Sequence, residues 1–236
     1  MEGCPLEEWK ATNGFLQIYE PQVLSPYWTT LANELICNRL AKLLGLPVAT
    51  TKVATINGKV GVLSIANHSR KVRTWKQVLR KRSNLRKIII KPKRLYKTFV
   101  FDVWVCNVDR SGNNIMVYST GKKYNFYLID HELTLLGAVR YEERRWCSAY
   151  WDDVIRYTYG YKPILRSHGR DYSKLAPYVR TIRRIHPKTI RRVINSVPSR
   201  FISPGDKILT EKILLRPRRR LPRILLTCEA HLSKRV

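Results

Sequence analysis

Acidic side chains are in short supply. From Leu35 to Phe101 there is none, and across 236 residues 17 Asp and Glu stand against 45 Lys and Arg, a formal net charge of +28. A soluble domain of this size normally carries a net charge of magnitude about 2–8. The excess argues against a self-sufficient neutral surface and for a polyanionic partner, because a protein that neutralises phosphates releases their condensed counterions. Cysteine is equally sparse in pattern: Cys4, Cys37, Cys106, Cys147 and Cys228 form no CxxC pair, and the five histidines form no HxxxH. That spacing excludes a ready zinc site and a disulfide framework, and predicts reduced thiols in a cytoplasmic protein. Nor does any apolar run reach the ~18–20 residues of a membrane span. With no repeat at periods of ~20–50 residues the chain reads as one continuous globule, and 44% hydrophobic content supplies a core.

The elements that are there suggest an α+β fold. "GFLQIY" follows Asn13-Gly14, a hairpin signal, and pairs with the preceding "EEWKA". Over Thr30–Leu44, Leu31, Leu35, Ile36, Leu40, Leu43 and Leu44 share one helical face, ended by Gly45 and Pro47. "PVATTKVATINGKVGVLSI" then reads as two strands around Asn57-Gly58. A soft boundary at "ANHSR" separates an N-terminal lobe, residues 1–66, from a mostly helical C-terminal lobe, residues 67–236. Past it, helical, basic sequence is expected, then a buried helix in "KTFVFDVWVCNV", where Phe101, Trp104, Val105 and Val108 recur at helical spacing.

The chemistry concentrates in "DRSGNNIMVYSTGKKYNFYLID", Asp109 to Asp130. Two β-type runs, "IMVYS" and "NFYLI", flank a turn near Gly121–Lys123, so the ends of the hairpin should bring Asn114 and Asp130 side by side with Asp109 in the loop before them. An amide oxygen and a carboxylate are hard ligands that Mg²⁺ accepts, with phosphate oxygens and water completing its shell. A further carboxylate can orient a hydroxyl and take its proton. Asp, Asn five residues on, a hairpin and then Asp is the order found in protein kinases. The bland alternative is a turn held by Asx hydrogen bonds and a strand-end carboxylate bridged to arginine.

"VCNVDRSGNNIMV…YLIDHE" resembles the HipA-like kinases and, more distantly, the phosphoinositide kinases, which also place Arg directly after the catalytic-loop Asp. "LANELICNRLAKLLGLPVATT" is similar to that family's N-lobe helix and next strand, and "VINSVPSRFIS…LLRPRRRLPRILL" to its C-terminal helices. The resemblance implies a bilobal protein-kinase-like fold with ATP in the cleft. It makes Asp109 the catalytic base, Asn114 and Asp130 the Mg²⁺ ligands, and Arg110 a neutraliser of phosphoryl charge. The phosphate-binding Lys is missing, since Ile18 stands where it is expected, and the glycine-rich cover is reduced to "GCP", with Gly3 and Cys4 as its remnant. Glu34 resembles the helix Glu that would pair with that Lys; Lys10 or Arg39 offers a substitute cation.

Two readings stay open: an ATP- and Mg²⁺-dependent kinase acting on a hydroxyl of a protein or nucleic-acid-associated substrate, and an inactive pseudokinase serving as a basic nucleic-acid-binding subunit. The partner expected in both is nucleic acid or a nucleic-acid-bound protein, with no membrane span. Its contacts are expected from the run Arg70, Lys71, Arg73, Lys76, Arg80, Lys81, Arg82, Arg86 and Lys87, and from Arg218, Arg219 and Arg220 in the tail. Trp75 and Tyr96 interleave with the first run as candidate base-stacking or core residues.

Overall fold

Strand formers separated by tight turns account for the first sheet. In the computed structural model, which describes residues 7–11, 14–18, 28–56, 58–65, 72–79, 89–107, 109–141 and 172–233, β1 (Glu7–Ala11) and β2 (Gly14–Ile18) form an antiparallel pair. β3 (Thr50–Ile56) and β4 (Lys59–Ile65) form the second hairpin, closed at Gly58 with φ +76°, a left-handed conformation that favours glycine. β4 also pairs with β2, giving the sheet order β1-β2-β4-β3. Helix α1 (Trp28–Leu43) lies between the hairpins in sequence and buries Leu31, Leu35, Ile36 and Leu40, as the periodicity predicts, with Leu44 buried just after it, but Leu43, expected on that face, is 51% exposed. Gly45, at φ +65°, ends it.

The chain after the soft boundary departs from expectation. Its first described residues form a three-residue strand, β5 (Val72–Thr74), followed by the short helix α2 (Trp75–Leu79), while residues 80–88 of the expected helical, basic stretch lie outside the described residues. β5 pairs with β6 (Ile115–Thr120), whose other edge carries β7 (Lys123–Leu128), so the predicted two-stranded hairpin is the core of a three-stranded sheet. The β6–β7 turn falls at Gly121, φ +72°, where the sequence places it. Trp75 and Tyr96 are both buried in the core, which removes them as base-stacking surfaces.

Helix α3 (Lys93–Trp104) is the buried helix read in "KTFVFDVWVCNV", but it starts earlier and stops at Trp104, with Val105 its C-cap and Val108 outside the described residues; from Leu95 to Trp104 only Lys97 escapes burial. Behind it pack α4 (Leu135–Tyr141), α5 (Ala176–Arg184), α6 (Pro187–Asn195), α7 (Pro204–Leu215) and α8 (Pro217–Ser233). The Trp104 indole fixes α3 to α7 by donating Nε1–H to the Leu214 carbonyl at 2.9 Å. One continuous apolar core runs from α1 through α3 to Leu225 in α8. The result is an α+β molecule, small antiparallel sheets toward the N-terminus and helices after them.

Candidate active site

The C-terminus of α3 launches the loop that carries Asp109. Its helix ends in a two-bond turn: Cys106 N–H donates to the Val103 carbonyl (3.3 Å) and Asn107 N–H to the Asp102 carbonyl (2.8 Å), with Cys106 left-handed at φ 61° where glycine is commonest. A β-branched residue there would be strained. Asn107 then works in both directions, its Nδ2 donating to Asp102 Oδ1 (3.1 Å) and its Oδ1 accepting the Asp109 N–H (3.0 Å). The chain therefore leaves the helix at a defined angle and presents Asp109 outward.

Asp109 and Arg110 point in opposite directions. Asp109 is exposed, whereas Arg110 is 1% exposed and makes a buried pair with Asp102, Nε to Oδ2 at 3.0 Å. Its Nη1 also donates to the carbonyls of Asn114 (2.8 Å) and Ile129 (2.6 Å). This corrects the expectation for Arg110: a guanidinium committed to a carboxylate and two carbonyls in the core cannot meet a transferred phosphoryl group. Its role is to fasten the beginning of β6 and the end of β7 to α3. Asp102, which the motif did not single out, is the partner. A lone acid inside an apolar helix was the available signal, since a buried charge requires a counter-charge.

Asn114 closes the loop five residues after Asp109. Its Nδ2 donates to the Asp109 carbonyl (2.8 Å) and to Asp109 Oδ2 (2.9 Å). That geometry explains the D-x4-N spacing, and it directs the amide's Oδ1 away from Asp109. The register refines the sequence reading. Ile115 pairs with Leu128, and Ile129 N–H donates to the Asn114 carbonyl at 3.2 Å, so Asn114 lies across from Ile129 with Asp130 one residue further on.

Asp130 is left-handed, φ 60°, and half-buried. Burial raises its pKa, and the negative charges of Glu34 and Asp109 raise it further against the opposing pull of Arg110. Asp130 therefore lies within electrostatic reach of two further acids, Glu34 and Asp109, in a chain that is otherwise overwhelmingly basic.

Helix α1 secures the segment after Asp130. Asn33 Nδ2 donates to the Glu132 carbonyl (3.0 Å), Glu34 Oε2 accepts the His131 N–H, and Cys37 Sγ lies 3.2 Å from Thr134 Oγ1. Residues 33, 34 and 37 share a helical face, which is why one helix can supply all three contacts. Beside Glu34 stands His131, its Nδ1 3.3 Å from Oε2, while Arg39 donates to Ser196 Oγ at 2.6 Å; the side chain of Lys10 lies outside the described residues. Burial alone would push Glu34 upward, yet His131 and Arg110 bring its pKa below the usual carboxylate value. Glu34 Oε1 and His131 Nε2 are buried without a hydrogen-bond partner. Burial raises the Cys37 thiol far above its ordinary range, so it is a packing group and not a nucleophile.

Ile18 takes the register position across from Gly61, and Gln17 the position across from the fully buried Val62. β2, GFLQI, thus contains no basic residue. Gly3 and Cys4 lie outside the described residues, as do Arg70, Lys71, Arg80, Lys81, Arg82, Arg86 and Lys87. Arg73 lies in β5, half-buried, and Lys76 is exposed on α2; Arg219 and Arg220 are exposed on α8, with Arg218 half-buried beside them. Among the described residues no helix is long and apolar enough to cross a membrane. Nor, among them, do three or more His, Cys, Asp or Glu form a group that could hold a metal ion.

A buried helix leading into an exposed Asp109, an Asn114 that ties back to it, and a hairpin that ends at Asp130 beside residues held by α1 are the arrangement of a kinase-like fold. The chain belongs to the HipA-like kinases, whose family model matches residues 26–150, more than half of its length. No curated protein matches it. Among solved structures, the crystal structure of CtkA, a Helicobacter pylori proinflammatory kinase, aligns with a TM-score of 0.62 at 15% identity, covering 99% of this chain and 94% of that one. HipA of Shewanella oneidensis MR-1, in a toxin–antitoxin complex with HipB and operator DNA, aligns at 0.47 and 16% identity over 94% of this chain and 59% of that one. At these identities the likeness is one of fold.

Proposed function

We propose that this HipA-like kinase transfers the γ-phosphoryl of ATP, with Mg²⁺, to a hydroxyl of a protein or nucleic-acid-associated substrate. The observation that carries the reading is the convergence of Asp109, Asn114 and Asp130, held from behind by Arg110 and from the side by Glu34. The donor set fits Mg²⁺: all oxygens, one from an amide and one from a carboxylate whose negative charge the protein itself disfavours. Because the protein supplies so few ligands, most of the shell would come from phosphate and water. Bound there, the cation supplies neutralisation of charge on the phosphates.

The chain's own residues do the rest. Asn114, oriented by its two bonds to Asp109, keeps Oδ1 free of Asp109 and would hold the cation through that oxygen. Asp130 offers its carboxylate from the end of the hairpin, in a backbone conformation secured on its C-terminal side by Glu34 and His131. Asp109, fixed through Oδ2 by Asn114, receives the acceptor hydroxyl's proton on its remaining oxygen. The absent lysine favours a second reading, in which the cleft is vestigial and the fold serves as a basic binding subunit. Thermal unfolding with ATP, with Mg²⁺ and with both decides between them. The kinase reading expects a rise in Tm only when both are present, and loss of that rise in Asp130→Asn, accompanied by radiolabel transfer from γ-labelled ATP. A wild-type protein whose Tm ignores nucleotide and metal would leave the vestigial reading.

A further inference from the structure

Arginines on α5 and α8 are brought together by packing although they are distant in sequence. Arg218, on the first turn of α8, donates Nη1–H to the carbonyl of Ile185, the residue that caps the C-terminus of α5. That bond sets the start of one helix against the end of the other. Arg183 and Arg219 lie close enough to Arg218 to lower its pKa, behind the larger effect of its partial burial.

Spacing extends the cluster along both helices. On α5 the exposed residues Arg180, Arg183 and Arg184 follow i, i+3, i+4, while Val179 and Ile182 face the core. On α8, Arg219 and Arg220 are exposed and Leu221, Ile224 and Leu225 are buried. Neutralising acids are few here. Between Ser173 and Leu226 the acids are Asp206 and Glu211, and Glu211 is engaged by Arg191 at 2.7 Å. Holding several guanidinium groups on adjoining helical faces costs self-repulsion that an arriving anion removes.

We propose that Arg180, Arg183 and Arg184 of α5, with Arg218, Arg219 and Arg220 of α8, form one surface that binds the phosphodiester backbone of a nucleic acid. Three features select that occupant. The cations are arginines, whose planar fork meets phosphate oxygens in pairs. They are mounted on rigid helices, so the charges form a fixed, extended array suited to a regularly spaced polyanion. The apolar positions of α8 at Leu221, Ile224 and Leu225 are turned into the core, which leaves Leu226, 50% exposed, short of the continuous apolar face that an amphipathic membrane helix requires. The surface shares no residue with Asp109, Asn114 and Asp130 and does not depend on phosphotransfer.

Fluorescence anisotropy of a labelled mixed-sequence DNA duplex, titrated at several salt concentrations, tests the proposal. Wild type should bind with a steep negative slope of log K against log salt. Arg183→Glu with Arg219→Glu should weaken binding by about tenfold or more and reduce the slope by about 2, because each phosphate contact contributes about 0.9. Arg180→Gln with Arg184→Gln, at exposed positions, should reduce both in the same direction. Lys122→Glu with Lys123→Glu makes the same charge change at the exposed β6–β7 turn and should leave binding near wild type. Asp130→Asn should leave it unchanged too, which separates this proposal from the phosphotransfer reading. Equal loss in the turn variant would show that only total charge matters and overturn the surface. Unaltered binding in the arginine variants would overturn it as well, as would arginine-dependent capture by phosphatidylserine vesicles without duplex binding.

Discussion

Asp130 carries two strains at once, a left-handed backbone and a carboxylate whose charge burial and the negative charges of Glu34 and Asp109 disfavour. Asparagine tolerates the same backbone region and lacks the charge. Asp130→Asn should therefore raise Tm in EDTA while abolishing any rise caused by ATP and Mg²⁺, a pairing of effects that mere unfolding would not produce. The pH dependence follows from the direction of the shift. Because the folded pKa is raised, Asp130 favours the folded state below the ordinary Asp value of about 3.9, and that contribution is lost as pH climbs through the raised value. In metal-free buffer, the Tm advantage of Asp130→Asn over wild type should thus widen as pH rises from about 4 to about 7, read by circular dichroism melts. Arg110 behaves oppositely. Removing it leaves Asp102 buried without its ion-pair partner and takes one donor from each of the Asn114 and Ile129 carbonyls, so Arg110→Ala should cost about 3–5 kcal/mol in urea unfolding.

Between elements, the closest approach is at Gly137 in α4. A Cβ there would lie 2.3 Å from the Glu132 carbonyl oxygen and 2.6 Å from Asn33 Nδ2. The hydrogen bond between those same two groups ties α1 to the segment after Asp130. Gly137→Ala must push them apart and should destabilise by about 1–3 kcal/mol, seen as a lower urea midpoint with an unchanged m-value. If the spacing between α1 and α4 also sets the site, the same variant should weaken the nucleotide-dependent Tm rise. What the sequence disclosed at this scale was whatever local chemistry determines. Asn57-Gly58 marked the β3–β4 turn, the leucine spacing marked α1, and the two β-type runs around Gly121 marked β6 and β7. β5 escaped because three residues in a basic stretch carry no period of their own, and its strand form comes from pairing with the edge of β6. The contacts of Glu34 escaped for a related reason: His131 is its partner through tertiary packing across 97 residues. The catalytic-loop order was legible because its spacing is local, whereas the inward turn of Arg110 toward Asp102 required the fold.

For the whole molecule the governing quantity is +28, a charge whose self-repulsion opposes folding. The buried ion pair Arg110–Asp102 is shielded from solvent, but the many exposed cations interact through water and are open to screening. Raising salt from about 0.1 M to about 1 M shortens the Debye length from about 10 Å to about 3 Å. Stability and nucleic-acid affinity should respond with opposite signs. Screening reduces repulsion within the fold, so Tm in sodium chloride should rise, and the rise should be smaller in Arg183→Glu with Arg219→Glu, where repulsion is already relieved. The same salt removes the entropic gain of counterion release, so duplex binding should weaken steeply. A Tm that fell with chloride would mean that attractive surface pairs outweigh the excess of arginine and lysine. With so few acids available to make such pairs, the repulsive term should govern.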